Sequence, residues 1–171
     1  QLKTIFISSA LALCQTAFAQ TDQDALMMAK GDFCTGPMYQ YSSWKNYWEG
    51  PNKRNNANLG TVSTTTAMIM GNYGVTHKLN LLFGLPYIKT KASAGQLAGQ
   101  KGLQDLSLFV KWVAREKHIG KGHLKAIVIG GLSTPVSNYT ADLLPLSIGL
   151  KSKTAMLRLM ADYELGNWFA T

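Results

Sequence analysis

Three segments of the chain alternate between apolar and mixed positions with a period of two residues. The apolar sets begin at Leu79, Leu106 and Ala155, and each runs through five alternate positions. A helix would scatter each set around its circumference, whereas a β-strand turns every second side chain to the same face. The alternation therefore predicts three strands, each with one wholly apolar face and one mixed face.

Further segments complete the predicted set of strands. Residues 62–70 and 124–132 are rich in β-branched side chains and are bounded by Gly or Asn, as strands commonly are. An aromatic run from Tyr39 to Trp48 supplies a first strand, and Trp168 begins the last one. No segment has the period of an amphipathic helix, so the sequence predicts an all-β chain of about seven antiparallel strands.

The predicted connections alternate in length along the chain. Long connections cover residues 49–60, 90–104 and 135–152, and short ones cover 74–78, 115–122 and 165–167. Long loops at one end and tight turns at the other are typical of an up-and-down transmembrane β-barrel of the outer membrane. Strands of about 10 to 13 residues also suit a bilayer, since tilted strands cross it with about 9 to 11 residues and soluble strands average about 5 to 6.

Composition excludes several classes of protein. The chain has 171 residues, a net charge of +8, 46% hydrophobic residues and 15% charged residues. So much apolar side chain at so low a charge content excludes intrinsic disorder. The basic residues fall mostly in predicted loops and turns rather than along one stripe, which argues against nucleic acid as a partner.

The first residues have the layout of a secretory signal peptide. A basic start, an apolar stretch and a small-x-small triplet predict cleavage after Ala19. We therefore expect a signal peptide at 1–19, a periplasmic extension at 20–36 and a partial barrel at 37–171, exported to the bacterial outer membrane. Outer-membrane lipid is then the expected partner of the apolar strand faces.

The mixed strand faces supply candidates for the lining of a lumen. Five side chains on them are predicted to face inward and to contact a small, partly hydrophobic or aromatic solute: Asp105, Phe109, Lys111, Arg158 and Asp162. The expected function is passive uptake or binding of such solutes. The alternative for each charge is that it only neutralises its neighbours and fills the barrel.

Catalytic and metal-binding patterns are absent from the sequence. His77, His118 and His123 lie in or beside predicted turns, without a second ligand at a metal spacing. No serine lies in a Gly-x-Ser-x-Gly elbow, and Gly120, Lys121 and Gly122 lack the rest of a phosphate loop. The chain is therefore predicted to be no enzyme and to carry neither a metal nor a cofactor.

Two stretches are similar to a known family of membrane proteins. Residues 83–87, followed after a glycine-rich loop by residues 102–112, resemble the G-x-x-D-L-x-L-x-x-K-aromatic strand of certain outer-membrane barrels. Residues 146–150 add a weaker likeness. Members of that family are labelled as components of the meta pathway of phenol degradation, or as transporters. The resemblance implies a porin-like barrel in which Asp105 and Lys111 are lumenal, and it covers roughly Leu59 to Thr171.

The number of predicted strands is too small for a closed barrel. Because bacterial barrels close with an even number of strands and at least eight, the chain is expected to be an incomplete N-terminal portion of a barrel. Pro86 should cause a bulge or mark a strand end, since proline lacks an N–H for the ladder. The competing functions are a non-transporting surface protein, an adhesin or scaffold acting through loops such as 52–58 and 137–144, and a secreted β-sandwich whose apolar faces meet.

Overall fold

The computed structural model describes residues 21–171, and the signal peptide predicted at 1–19 lies outside the described residues. Within the described part every regular element is a strand, as predicted, and no helix is long and apolar enough to cross a membrane. The strands are β1 (Phe33–Trp44), β2 (Asn46–Glu49), β3 (Asn52–Asn55), β4 (Val62–Thr76), β5 (Leu79–Ala92), β6 (Lys101–Leu103), β7 (Asp105–Ile119), β8 (Gly122–Pro135), β9 (Thr154–Leu165) and β10 (Trp168–Ala170).

The main sheet is antiparallel and curls into half of a barrel. Its strand order is β1-β4-β5-β7-β8-β9-β10, so successive long strands are neighbours, and the short strand β6 pairs with β5 beyond the end of β7. Strands β2 and β3 form a separate hairpin. The prediction of an all-β antiparallel fold with sequential strand pairing is therefore confirmed.

The connections follow the predicted alternation, although several boundaries were predicted wrongly. Two-residue turns at 77–78, 120–121 and 166–167 join the strands at one end of the sheet. Gly120 and Gly166 occupy the first turn position with φ of 62° and 59°, which glycine adopts without strain. The predicted turn at 115–122 is wrong, because β7 continues to Ile119. The predicted loop 49–60 contains β3, and the sheet begins at Phe33 rather than at residue 37.

The two faces of the sheet differ sharply in polarity. Alternation along β7 and β9 turns the predicted apolar sets to the convex face, where Leu108 is 52% and Leu159 is 74% exposed. The concave face holds the other set, and there Lys111 and Asp162 are buried. The inward direction predicted for the charged side chains of these strands agrees with this arrangement.

A segment from the N-terminal side of β1 covers part of the concave face. We call residues 21–31 the inner segment. Its Ala25 and Met27 pack against a small buried cluster on β7 and β8, formed by Val113, Ile127 and Ile129. The predicted extension at 20–36 thus has two parts. One is the inner segment, which lies against the sheet, and the other is the first residues of β1.

The irregularity predicted at Pro86 is found on one side of its strand. Pairing of β5 with β7 reaches Gly84, and pairing with β6 starts at Tyr87. Between them Pro86 contributes only its carbonyl, which accepts a hydrogen bond from the Gln104 N–H at 2.9 Å. The missing N–H of proline therefore coincides with the break between β7 and β6.

Candidate functional site

Lys111 is the most deeply buried charge on the concave face. Its side chain has no exposed surface, and its ammonium lies against the inner segment. It donates to the carbonyl oxygens of Thr21 at 2.6 Å, Asp24 at 2.9 Å and Leu26 at 3.2 Å, and to the Asp24 carboxylate at 3.0 Å. Three ammonium protons thus serve four oxygens, which satisfies a charge that would be very costly to bury alone.

Two more side chains hold the inner segment at its ends. Arg158 of β9 donates to the Asp22 carbonyl at 2.7 Å and to the Asp22 carboxylate at 3.2 Å. Asn80 of β5 is fully buried. With its amide group turned to the orientation that satisfies both of its ends, its oxygen accepts a hydrogen bond from the Met28 N–H at 2.6 Å and its nitrogen donates to the Leu79 carbonyl at 3.2 Å. Side chains of three different strands, β5, β7 and β9, therefore fix one segment across the sheet.

Glycine permits the close approach of the inner segment to β4. The Gly31 N–H donates to the Gly74 carbonyl at 2.7 Å. A Cβ at position 74 would overlap the Ala29 carbonyl, so only glycine leaves room for this backbone contact. The contact fixes the inner segment directly before it enters β1.

The charge of Asp24 is stabilised where it meets the sheet. Burial by itself would raise the pKa of this carboxyl group. Hydrogen bonds from Thr21 and the ammonium of Lys111 outweigh burial and hold the pKa below its ordinary value of 3.8. Asp24 is therefore ionised at neutral pH and acts as the charged partner of Lys111.

Acid should weaken the docking of the inner segment. A carboxyl group whose pKa is lowered by docking contributes its full stabilisation above pH 3.8, and this is lost as pH falls through the lower pKa of the docked state. The hydrogen-exchange protection factors of residues 24–28, which correct for the intrinsic pH dependence of amide exchange, are expected to fall over that range. In an Asp24→Asn variant this pH dependence should shrink; an unchanged acid response in the variant would show that another group is responsible.

A pocket of about 280 Å³ lies on the concave face beside the inner segment. Apolar side chains from β4, β5 and β7 form most of its wall, and polar groups gather toward the end where the long loops lie. The Ser107 hydroxyl donates to the Ser133 hydroxyl at 3.2 Å there. The lining residues on this face are Asp22, Met68, Met70, Leu82, Gly84, Pro86, Gln104, Asp105, Ser107, Phe109 and Ser133.

Phe109 owes its position in this pocket to a glycine on the neighbouring strand. Phe109 pairs with Gly131 of β8, and a Cβ at position 131 would overlap the phenyl ring. Gly131→Ala is expected to destabilise the fold by about 1–3 kcal/mol, because the ring must leave its rotamer. Gly130→Ala is the matched control, since a Cβ there meets nothing within 4 Å.

Unfolding of the two glycine variants in denaturant measures this difference. The Gly131 variant should lose stability and the Gly130 variant should stay within about 0.5 kcal/mol of the parent protein. Equal stability of both variants would contradict the packing described for Phe109.

The long connection between β8 and β9 closes one end of the concave face. The Tyr139 hydroxyl donates to the Asp105 carboxylate at 2.7 Å and accepts from the Lys151 N–H at 2.8 Å. Burial, followed by the hydrogen bond to Asp105, raises the pKa of Tyr139 above its usual value of 10.0. Farther along, the Thr90 hydroxyl donates to the Leu146 carbonyl at 2.6 Å. This loop is thus fixed to β5 by a buried hydrogen bond and to β7 by a partly buried one.

The five predicted lumen residues all lie on the concave face, but they contact different parts of the structure. Asp105 and Phe109 line the pocket, while Lys111 and Arg158 are occupied by the inner segment. Asp162 lies nearer the short turns, where it pairs across the ladder with Lys125 and accepts a hydrogen bond from the Thr171 hydroxyl at 2.8 Å. Contact of these five residues with a solute stays a prediction.

Sequence reasoning missed the residues that complete this arrangement. Asn80 stood as an isolated amide in an apolar strand, which is a signal for a buried polar contact. Asp22, Asp24 and Tyr139 had no comparable signal, because their partners are distant in sequence. In residues 21–171 no group of three or more His, Cys, Asp or Glu side chains could hold a metal ion.

Comparison of the chain with protein-family models, curated proteins and solved structures gives no match.

Proposed function

We propose that this half-barrel is part of an outer-membrane β-barrel whose convex face contacts lipid. The observation that carries the proposal is the distribution of polarity over the two faces. The convex face of β8 and β9 carries Leu132, Leu157 and Leu159, which are 66–74% exposed. Lys111 on the concave face is fully buried among polar partners. A protein dissolved in water rarely exposes so continuous an apolar surface, whereas a transmembrane barrel requires one.

The convex face carries its apolar side chains as a continuous band across the long strands. Every long strand from β4 to β9 contributes at least one well-exposed apolar side chain to the band. On β1 aromatic side chains occupy the corresponding positions. The exposed side chains of the band are Ile69, Leu81, Leu108, Val110, Trp112, Leu132, Leu157 and Leu159, with Tyr39 and Tyr41 on β1. Such a band, bordered by aromatic rings, matches the surface that outer-membrane barrels present to the bilayer.

The concave face then becomes the wall of a lumen. Its pocket combines methionine and phenylalanine side chains with two carboxylates, those of Asp22 and Asp105, and two hydroxyl groups. We infer passive uptake or binding of small, partly hydrophobic solutes, in keeping with the resemblance to outer-membrane transporters. The inner segment narrows this lumen, and the proposal involves neither catalysis nor a cofactor.

The proposal has a structural requirement at the sheet edges. Hydrocarbon provides no water for an open ladder, and each orphan backbone group costs several kcal/mol there. The outer edges of β1 and β10 are open within the described sheet. In the membrane both edges must be paired, as closure of a barrel would achieve.

Reconstitution tests the proposal directly. The full chain should require detergent for extraction from outer membranes, and after insertion into liposomes it should pass small ions or aromatic acids. A chain that is freely soluble without detergent would overturn the membrane assignment. A chain that inserts but passes and binds no solute would leave the barrel in place and overturn the transport role.

A further inference from the structure

A row of lysines crosses the convex face just beyond the apolar band, at the end of the long loops. Lys89 of β5 pairs directly with Lys101 of β6, and on the other side with Thr65 of β4. Lys91 follows on the same face, one strand period farther from the band. We call Lys89, Lys91 and Lys101 the lysine row.

The row lies at a defined height relative to the apolar band. Tyr87 of β5 pairs with Leu103 of β6, one side-chain layer closer to the apolar band than the pair of Lys89 and Lys101. On its other side Tyr87 pairs with Ala67 of β4, and Ala67 pairs in turn with Tyr39 of β1. Two residues along a strand correspond to about 7 Å. The lysines therefore begin one side-chain layer above an aromatic row, which in a barrel marks the boundary between hydrocarbon and headgroups.

The lysine row has no acidic partner in the sheet. Strands β1, β4, β5 and β6 contain neither Asp nor Glu. Among residues 21–171, no ion pair includes any of these lysines. The nearby hairpin has one carboxylate, Glu49, which is paired with Arg54 at 2.8 Å.

Such an arrangement disfavours the sheet unless an anion is present. Like charges placed directly opposite each other in a ladder repel, and their Cβ atoms are only about 4.5–5.5 Å apart. An anion between the two ammonium groups would turn this repulsion into attraction. At the height of lipid headgroups, the anion that meets both lysines is a phosphate.

We propose that the lysine row binds the phosphate groups of a membrane lipid at the long-loop end of the barrel. The inference rests on the proposed membrane location, and it adds a specific lipid contact to it. The acyl chains of the lipid would lie along the apolar band below Tyr87, and its phosphates would lie between Lys89 and Lys101. Thr65, the neighbour of Lys89 on β4, would add a hydroxyl group within the same row.

Binding of lipid A to the purified full chain in detergent micelles tests the inference. The diphosphorylated form should bind at least tenfold more tightly than the dephosphorylated form, which has the same acyl chains. Replacing both Lys89 and Lys101 with Gln should lower the affinity for the diphosphorylated form about thirtyfold, as removal of two interfacial charges implies. The matched control is an Arg115→Gln, Lys117→Gln variant, whose side chains lie on the same face near the short turns.

A third variant separates binding from folding. Lys101→Glu would create an opposite-charge pair with Lys89, so the sheet should be at least as stable as the parent while lipid binding is lost. Retention of tight binding by this variant would overturn the inference. Three other results would also overturn the inference. They are equal binding of both lipid A forms, an equal loss of affinity in the Arg115 and Lys117 control variant, and full competition by inorganic phosphate. A chain that is soluble without detergent would instead overturn the proposed function.

Discussion

Replacing Lys111 with alanine is expected to release the inner segment from the sheet. The substitution removes the donor shared by the Thr21, Asp24 and Leu26 carbonyls and leaves the Asp24 carboxylate without its cation. Breaking a buried ion pair typically costs about 3–5 kcal/mol. Because the Asp24 side chain keeps 27% of its exposure, the lower end of that range applies here.

Hydrogen exchange of the inner segment provides the measurement. A loss of about 3 kcal/mol in docking free energy corresponds to exchange about a hundredfold faster at residues 24–28. Lys117→Ala is the control, since Lys117 lies on the same strand but is exposed. Unchanged protection in the Lys111 variant would mean that Arg158 and Asn80 hold the segment without it. If the concave face is a lumen, release should also raise the conductance of the reconstituted chain.

Placing a charge on the convex face is expected to impair membrane insertion. Leu159 is 74% exposed, so Leu159→Arg would change the stability of a water-soluble sheet by no more than about 0.5 kcal/mol. In a bilayer an arginine near the midplane costs about 2–4 kcal/mol. The same substitution therefore has very different effects in the two environments.

Unfolding by urea from lipid vesicles measures this cost. Leu150→Arg is the matched control, because Leu150 is 69% exposed but lies in the long loop before β9. We expect the Leu159 variant to lose about 2–4 kcal/mol and the Leu150 variant to remain close to the parent protein. Equal stabilities would contradict the contact between β9 and lipid.

Strand identity and strand faces could be predicted because both depend on a local period. The alternation in β7 assigned Asp105, Phe109 and Lys111 to one face and their neighbours to the other, and the ladder agrees. Strand ends were less predictable. A β-bulge between Val113 and Arg115 shifts the register by one residue, so the alternation continues with the opposite parity, and backbone pairing runs on to the turn at 120–121.

The partners of the concave charges could not be predicted from the sequence. Lys111 and Asp24 are 87 positions apart, and the inner segment has no periodicity that would indicate contact with a sheet. The choice among several carboxylates depends on which of them the curl of the sheet brings within about 3 Å, and this is a property of the tertiary structure. The hairpin of β2 and β3 was missed for a different reason. The aromatic residues of β2 continue the composition of β1, so the two strands look like one in the sequence.

We propose that the convex face of this sheet lies in hydrocarbon. Single spin labels at residues 155–163 of β9, with the native cysteines replaced and the full chain in lipid vesicles, test it most directly. Labels at odd positions should collide with dissolved oxygen and be shielded from a water-soluble nickel chelate, while labels at even positions should lack this oxygen preference. If the nickel chelate reaches the odd positions as readily as it reaches a label at Leu150, the convex face is in water and the membrane assignment is wrong.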